Sequence, residues 1–203
     1  GVTERELWAH LHFENARSGG DWLETKLLTC GSHTNPWYQE CSDRVCQQGE
    51  MISFDTDMIG PYGYCSDMSR AWVCGEEPND EQRRLYAKAY EQIEHNISVL
   101  KAGMTFREVS EKCWQIPDEF LANRYTTLIH GVGLADECPN IIHCEDFDDK
   151  GYDGLIEVGM TLCVESVIGS EGGRECVKLE EQIIMTETGV ERQSSYPFAM
   201  EML

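Results

Sequence analysis

Two periodicities alternate along this chain. Leu85, Ala89, Ile93, Ile97 and Leu100 recur at steps of four, four, four and three, the apolar stripe of a helix lying on a core. Asn79 or Asp80 is its expected cap and Gly103 its expected stop. Elsewhere short apolar runs bounded by glycine read as strands. "GEMISFD" (49–55) and "GMTLCVE" (159–165) each run from a glycine to a carboxylate six residues later. "GVTEREL" (1–7) recurs as "GMTFREV" (103–109), and both read as capping boxes, Thr3 with Glu6 and Thr105 with Glu108, each opening a helix. The chain thus reads as two related halves, each giving a helix and then strands that end in acids. The acidic, aperiodic stretch 137–154 is expected to be a loop over or beside the site, and "SSYPFAMEML" (194–203) a docking segment, with a partner subunit as one option for its surface.

No linker separates the halves, so residues 1–203 are expected to form one domain, long enough for a real core. The net charge of −21 argues against nucleic acid, whose phosphates need clustered Lys and Arg, and against an anionic membrane surface. No apolar run approaches the roughly 18 residues of a membrane-spanning helix. Ten cysteines are numerous, and none form a CxxC pair. Buried free thiols are expected, with Cys65, Cys163 and Cys176 in strand-like runs; a disulfide framework is not, and a reducing cytoplasm fits best. The chain opens on Gly1 and enters a helix signal at once, which reads as a fragment of a longer protein.

The candidate chemistry lies in acids at the ends of the strand-like runs: Asp55, Asp57 and Asp67 in "FDTDMIGPYGYCSD", His130 in "IHGVGL", Glu165 in "CVES" and Glu180 in "KLEEQ". Hard carboxylates with one imidazole form a donor set for one or two divalent transition metals, and burying so many charges is tolerable when a metal joins them. Iron, manganese, cobalt and zinc all suit such a set. His10 and His12 fall on the first helix, His33, His95 and His143 have no partner spacing, and all five are expected in surface or core packing.

These pieces, "GYCSDMSR", "HGVGL", "GMTLCVES" and "VKLEEQIIMTETG", resemble the catalytic domain of the methionine aminopeptidase, prolidase and creatinase family over nearly the whole chain. The resemblance implies an α+β pita-bread fold, with pseudo-two-fold halves and a curved antiparallel sheet covered by helices. It implies the metal ligands Asp55, Asp67, His130, Glu165 and Glu180, with Glu180 preferred to Glu181 because it directly follows Leu179. It further implies a missing N-terminal region and a homodimer. At the first ligand the spacing departs from the family: counting back from Asp67 lands on Thr56, with Asp55 and Asp57 on either side. Strand alternation would put both on one face, within reach of a two-metal centre; the alternative for Asp57 is a solvated turn residue.

Two more departures touch the reaction. Family peptidases place a His before the Glu that follows their HGIGL motif, where "HGVGLADECP" has Asp136 before Glu137. They also carry a histidine in an NPHY-like stretch, where this chain has Trp37 in "NPWY". Losing both histidines speaks against peptide hydrolysis. A tryptophan face attracts a soft cation, and an aspartate beside a metal site can act as a general base. A cation wall, a metal for a carboxylate and a base together fit β-elimination. The pattern is similar to the peptidase-like dimethylsulfoniopropionate lyases, which implies iron as the metal, Asp136 as the base and a small zwitterionic substrate. Trp37 would be part of the sulfonium wall and Tyr125 would point at the site. The alternatives are plain packing for Trp37, a solvated loop residue for Asp136 and a core or rim position for Tyr125. Rival functions are a dinuclear Xaa-Pro peptidase and a non-catalytic binding module of the same fold.

Overall fold

The computed structural model describes residues 1–203. The first half runs through α1 (Glu4–Arg17), β1 (Trp22–Leu23), β2 (Leu28–Cys30), β3 (Met51–Asp55), β4 (Met58–Ile59), β5 (Cys65–Ser66) and β6 (Ser69–Val73). The long helix α2 (Asp80–Val99) leads to the second half: α3 (Phe106–Lys112), α4 (Asp118–Leu121), β7 (Thr127–Gly131), β8 (Asn140–Ile142), α5 (Cys144–Lys150), β9 (Thr161–Ile168), β10 (Val177–Thr186) and β11 (Gly189–Arg192). All pairings are antiparallel. β2-β3-β6 form one sheet, β11-β10-β9-β7-β8 another, and β1-β4-β5 a small third.

The two halves are related down to single hydrogen bonds. Thr3 and Thr105 each close a capping box with the glutamate three residues on. Each also bridges a later segment, Thr3 with Val45 and Thr105 with Leu155. Gly49 and Gly159 turn the chain into β3 and β9 at φ of 76° and 93°, a region open to glycine at little cost. Their N–H groups donate to Cys74 and Met185, both at 2.8 Å. β3 then lies between β2 and β6 as β9 lies between β7 and β10. β10 packs against β3 and β6, so the halves meet along these strands.

Helix α2 lies across β9 and β10. Leu85, Tyr86, Ala89 and Ile93 enter the main core with Leu162, Val164, Leu179 and Ile183. Asn79 caps α2 in a box with Gln82. The helix ends at Val99, before Gly103, which turns toward α3 at φ 88°. Ser166 of β9 donates to Gln92 of α2 at 2.7 Å, so Glu165 faces away from the helix. The helices therefore leave one face of β9 and β10 for the acids.

Two expectations are corrected. The stretch 137–154 contains β8 and α5, with Ile141, Ile142 and Phe147 in the core. Its few apolar anchors are too short a run to show a period. Cys30 and Cys46 form a disulfide that links the end of β2 to the segment beside α1; the other eight cysteines are free. The C-terminal segment docks as expected, on its own chain: Phe198, Ala199 and Met202 join the core, and the Arg70 guanidinium lies 4.1 Å from the Phe198 ring centre. No helix is long and apolar enough to cross a membrane.

Gly131 ends β7 beside β8, and a Cβ there would meet the Cys138 carbonyl oxygen at 2.1 Å. Gly131→Ala should destabilise the protein by about 1–3 kcal/mol, read as a lower urea midpoint. Burial, aided by Arg124 and opposed by Glu145, pushes His143 from 6.5 down to about 4. Between those values the unfolded chain takes up a proton that the native chain refuses, so stability falls as pH drops through that window. His143→Gln should remove about 3 kcal/mol of the stability change between about pH 7 and about pH 4, checked by urea titrations at both.

Candidate metal centre

The site forms where β3, the β5–β6 connection, β7, β9 and β10 converge. Asp55 ends β3, Asp67 lies between β5 and β6, His130 sits in β7, and Glu165 and Glu180 face each other across β9 and β10. All five are buried, as is Asp57. Nε2 of His130 lies 3.3 Å from Oε1 of Glu165, 3.3 Å from Oε1 of Glu180 and 4.0 Å from Oδ2 of Asp67. Ser69 ties the halves together, its hydroxyl oxygen 2.6 Å from Asp55 and 2.9 Å from Glu180. Strand alternation separates Glu180 from Glu181, whose carboxylate pairs with the buried Arg70 at 3.0 Å on the other face.

The electrostatics are those of an under-compensated acidic cluster. Burial and the Glu165 charge push Glu180 up to about 8. Burial, Glu180 and Asp55 hold Asp67 well above the carboxylate range. Burial raises Asp55 too, but the Lys178 ammonium and the Ser69 hydroxyl outweigh it, and its pKa falls. Burial lowers His130, yet Asp136, Glu165 and Glu180 together lift it well above the usual imidazole value. A cation placed among these groups would relieve the repulsion directly.

Donor geometry fits such a cation. His130 Nε2 and Glu180 Oε1 are buried without an aligned hydrogen-bond partner although they face each other. One oxygen each from Asp55, Asp67 and Glu180 lie within 4.8 Å of one another, as do the ligand atoms of Asp67, His130 and Asp136, and those of His130, Cys163 and Glu180. Carboxylate oxygens with one imidazole nitrogen are a hard-to-borderline set suited to first-row divalent ions.

Asp57 stands beside the site through its backbone rather than on the strand face that alternation implied, and its carboxylate joins none of the donor clusters. β3 ends at Asp55, and Asp57 sits in a turn at φ 35°. Its N–H donates to Asp67 at 3.1 Å, and its carboxylate accepts from the Thr25 hydroxyl. The residue is 9% exposed, which removes the solvated-turn alternative. Burial and the charge of Asp55 raise its pKa to about 7.

Asp136 is no solvated loop residue either. Its side chain is 6% exposed, with Oδ1 3.4 Å from Nδ1 of His130. That oxygen accepts from the Glu137 N–H at 3.0 Å, while Oδ2 is buried without a partner. Trp37 is 5% exposed and packs with Leu27, Val167 and Cys176. Tyr125 lies against that cluster and donates to Glu137 at 3.2 Å. Tyr38, absent from the sequence reading, stands edge-on to Tyr125 with ring centres 5.1 Å apart. Burial and the Glu165 charge raise its phenol pKa.

Lys178 escaped the sequence reading, and Cys163 was read there only as a buried thiol in a strand-like run. Lys178 is fully buried among the acids, 3.0 Å from Glu180 and 3.3 Å from Asp55, and is also paired with Glu165. Cys163 lies opposite His130 across β7 and β9. Both stand two residues from a glutamate on its strand, so alternation along "VKLEEQ" and "TLCVES" was an available signal.

The sequence profile of metallopeptidase family M24 matches residues 1–187. The chain belongs to this family. Among M24 relatives, it is 46% identical over 198 residues to the dimethylsulfoniopropionate lyase DddP of Roseovarius nubinhibens, a match that covers 97% of this chain and 44% of that protein. The DddP lyase of Roseobacter denitrificans is 45% identical over 98% of this chain and 45% of its own length. The chain thus spans less than half of these curated relatives. The prolidase of Pyrococcus furiosus superposes with a TM-score of 0.82 at 25% identity, over 97% of this chain and 57% of that one. The M24 fold therefore holds the pita-bread arrangement expected from the sequence, and the buried acids and His130 fit the metal that names the family.

His130→Ala should leave the fold intact by circular dichroism. It should lower the bound transition metal after dialysis at least as far as the ~10–100-fold loss seen when a ligand's supporting partner is removed. His95→Ala, on the exposed face of α2, should retain full metal content.

Proposed function

We propose that this chain is the catalytic part of a metal-dependent lyase that cleaves dimethylsulfoniopropionate to dimethyl sulfide and acrylate. The observation that carries the reading is Asp136, a carboxylate held beside the metal-binding imidazole where family peptidases have a histidine. The 45–46% identity to two dimethylsulfoniopropionate lyases supports the same substrate. A bound metal, with iron the proposed ion, would hold the substrate carboxylate and draw charge toward it as the neighbouring carbon loses its proton.

The remaining work falls to side chains. The unpartnered Oδ2 of Asp136 takes the proton from the carbon next to the carboxylate. The electron pair left behind forms the carbon–carbon double bond of acrylate, and the β-carbon–sulfur bond breaks. Dimethyl sulfide leaves as a neutral molecule and the proton ends in solvent, so charge balances. Tyr38 and Tyr125 supply aromatic edges and faces on the side where a sulfonium would lie, over the buried Trp37. Burial of the acids keeps water from competing for the metal-facing oxygens.

The runner-up, an Xaa-Pro peptidase, draws on the family and on the prolidase fold. The two are separated by incubating the metal-loaded protein with dimethylsulfoniopropionate and with proline dipeptides. The headspace is assayed for dimethyl sulfide and the solution for free proline; proline without sulfide would overturn the lyase reading. Asp136→Asn should lower sulfide release by about 10²–10⁴-fold, the usual contribution of a general base, with metal content unchanged.

A further inference from the structure

Lys178 stands on β10 two residues before Glu180 and on the same strand face. It is one of the largest fully buried side chains in the protein. Its ammonium group has three partners, and each is an acid of the candidate centre: Oδ2 of Asp55 at 3.3 Å, Oε2 of Glu180 at 3.0 Å and Oε2 of Glu165. The same glutamates turn their other oxygens, both Oε1, toward Nε2 of His130 at 3.3 Å each. Lys178 thus divides each carboxylate, taking one oxygen and leaving the other to the imidazole side, where the unpartnered atoms are.

Charge counting gives the same picture. Asp55, Asp67, Asp136, Glu165 and Glu180 are carboxyl groups gathered in one place, and Lys178 is the ammonium buried among them. Glu165 and Glu180 are directly opposed across β9 and β10, an arrangement that is repulsive unless a cation joins them. The buried charge nearest to both is Lys178.

We propose that Lys178 is a built-in counter-ion of the metal centre. It orients Glu165 and Glu180 and holds the acids together before metal arrives, and it weakens the site's grip on the ions that bind afterwards. The role rests on the metal-centre assignment and is independent of which substrate the centre serves. An ammonium that stabilises the metal-free state more than the loaded state must, by linkage, lower metal affinity.

The test compares wild type, Lys178→Met and Lys178→Arg, each stripped of metal and titrated with Co²⁺ against a chelator of known affinity. Thermal melts are taken with and without the ion. Metal-free Lys178→Met should melt about 10 °C below wild type, with most of that deficit gone on loading. It should bind Co²⁺ about tenfold more tightly, and Lys178→Arg should restore most of the metal-free melting temperature. Equal deficits in the free and loaded states, or a Co²⁺ affinity unchanged or weakened, would overturn the counter-ion role. Should Lys178→Met not fold without metal, the double variant Lys178→Met/Glu165→Gln, which removes one charge of each sign, should fold; its failure also overturns the role. A wild-type protein that takes up no Co²⁺ would sink the metal centre itself, and the counter-ion with it.

Discussion

Acidic side chains are driven together here in a place that water barely reaches. Glu165 and Glu180 are set opposite one another by the register of β9 and β10, and Asp55 and Asp67 are brought to the same point by the other half of the chain. Burying one unpaired carboxylate costs several kcal/mol, and burying several side by side costs more. Positive charge supplied at its centre relieves that cost. Lys178 supplies one unit from within, and the unpartnered atoms of His130 and Glu180 mark where the rest belongs.

The two related halves explain how a single chain assembles such a point. Each half builds the same unit: a capped helix, a glycine turn at positive φ, and a central strand that ends or passes through an acid. The acids of the candidate centre come from both units, Asp55 and Asp67 from the first and Glu165 and Glu180 from the second, with His130 beside the latter pair. Packing of β10 against β3 and β6 joins them, and Ser69 bonds to one acid from each half. Stability and site assembly are therefore one event in this fold. A change that loosens the seam acts on the metal-facing atoms as directly as a change in a ligand.

Much of this was legible in the residues. The capping boxes at Thr3 and Thr105, the helix from Asn79 and the strands after Gly49 and Gly159 are local, and each is decided by neighbours within a few positions. Candidate acids could be named because they stand at the edges of those strands. Where the reading depended on extrapolating a period, it strayed. Alternation was carried past the end of β3 to Asp57, which stands beside the cluster in a turn. Aperiodicity in 137–154 hid β8 and α5, whose burial rests on three apolar residues. Trp37, read as a cation wall from its type, packs in a small apolar cluster beside Tyr38 and Tyr125.

By itself the sequence determined what is set over short range: helix starts, glycine turns, strand faces, and the kinds of atom available for binding. It also carried the family signature that names the fold. The tertiary structure alone decided which distant atoms share a space. It paired Cys30 with Cys46, turned Glu181 to Arg70 while Glu180 joined the acids, placed Asp136 against His130, and buried Lys178 among three carboxylates. The reason is that Coulomb energy and hydrogen-bond alignment depend on separations of a few ångströms between residues as much as 125 positions apart, and no local pattern encodes those separations.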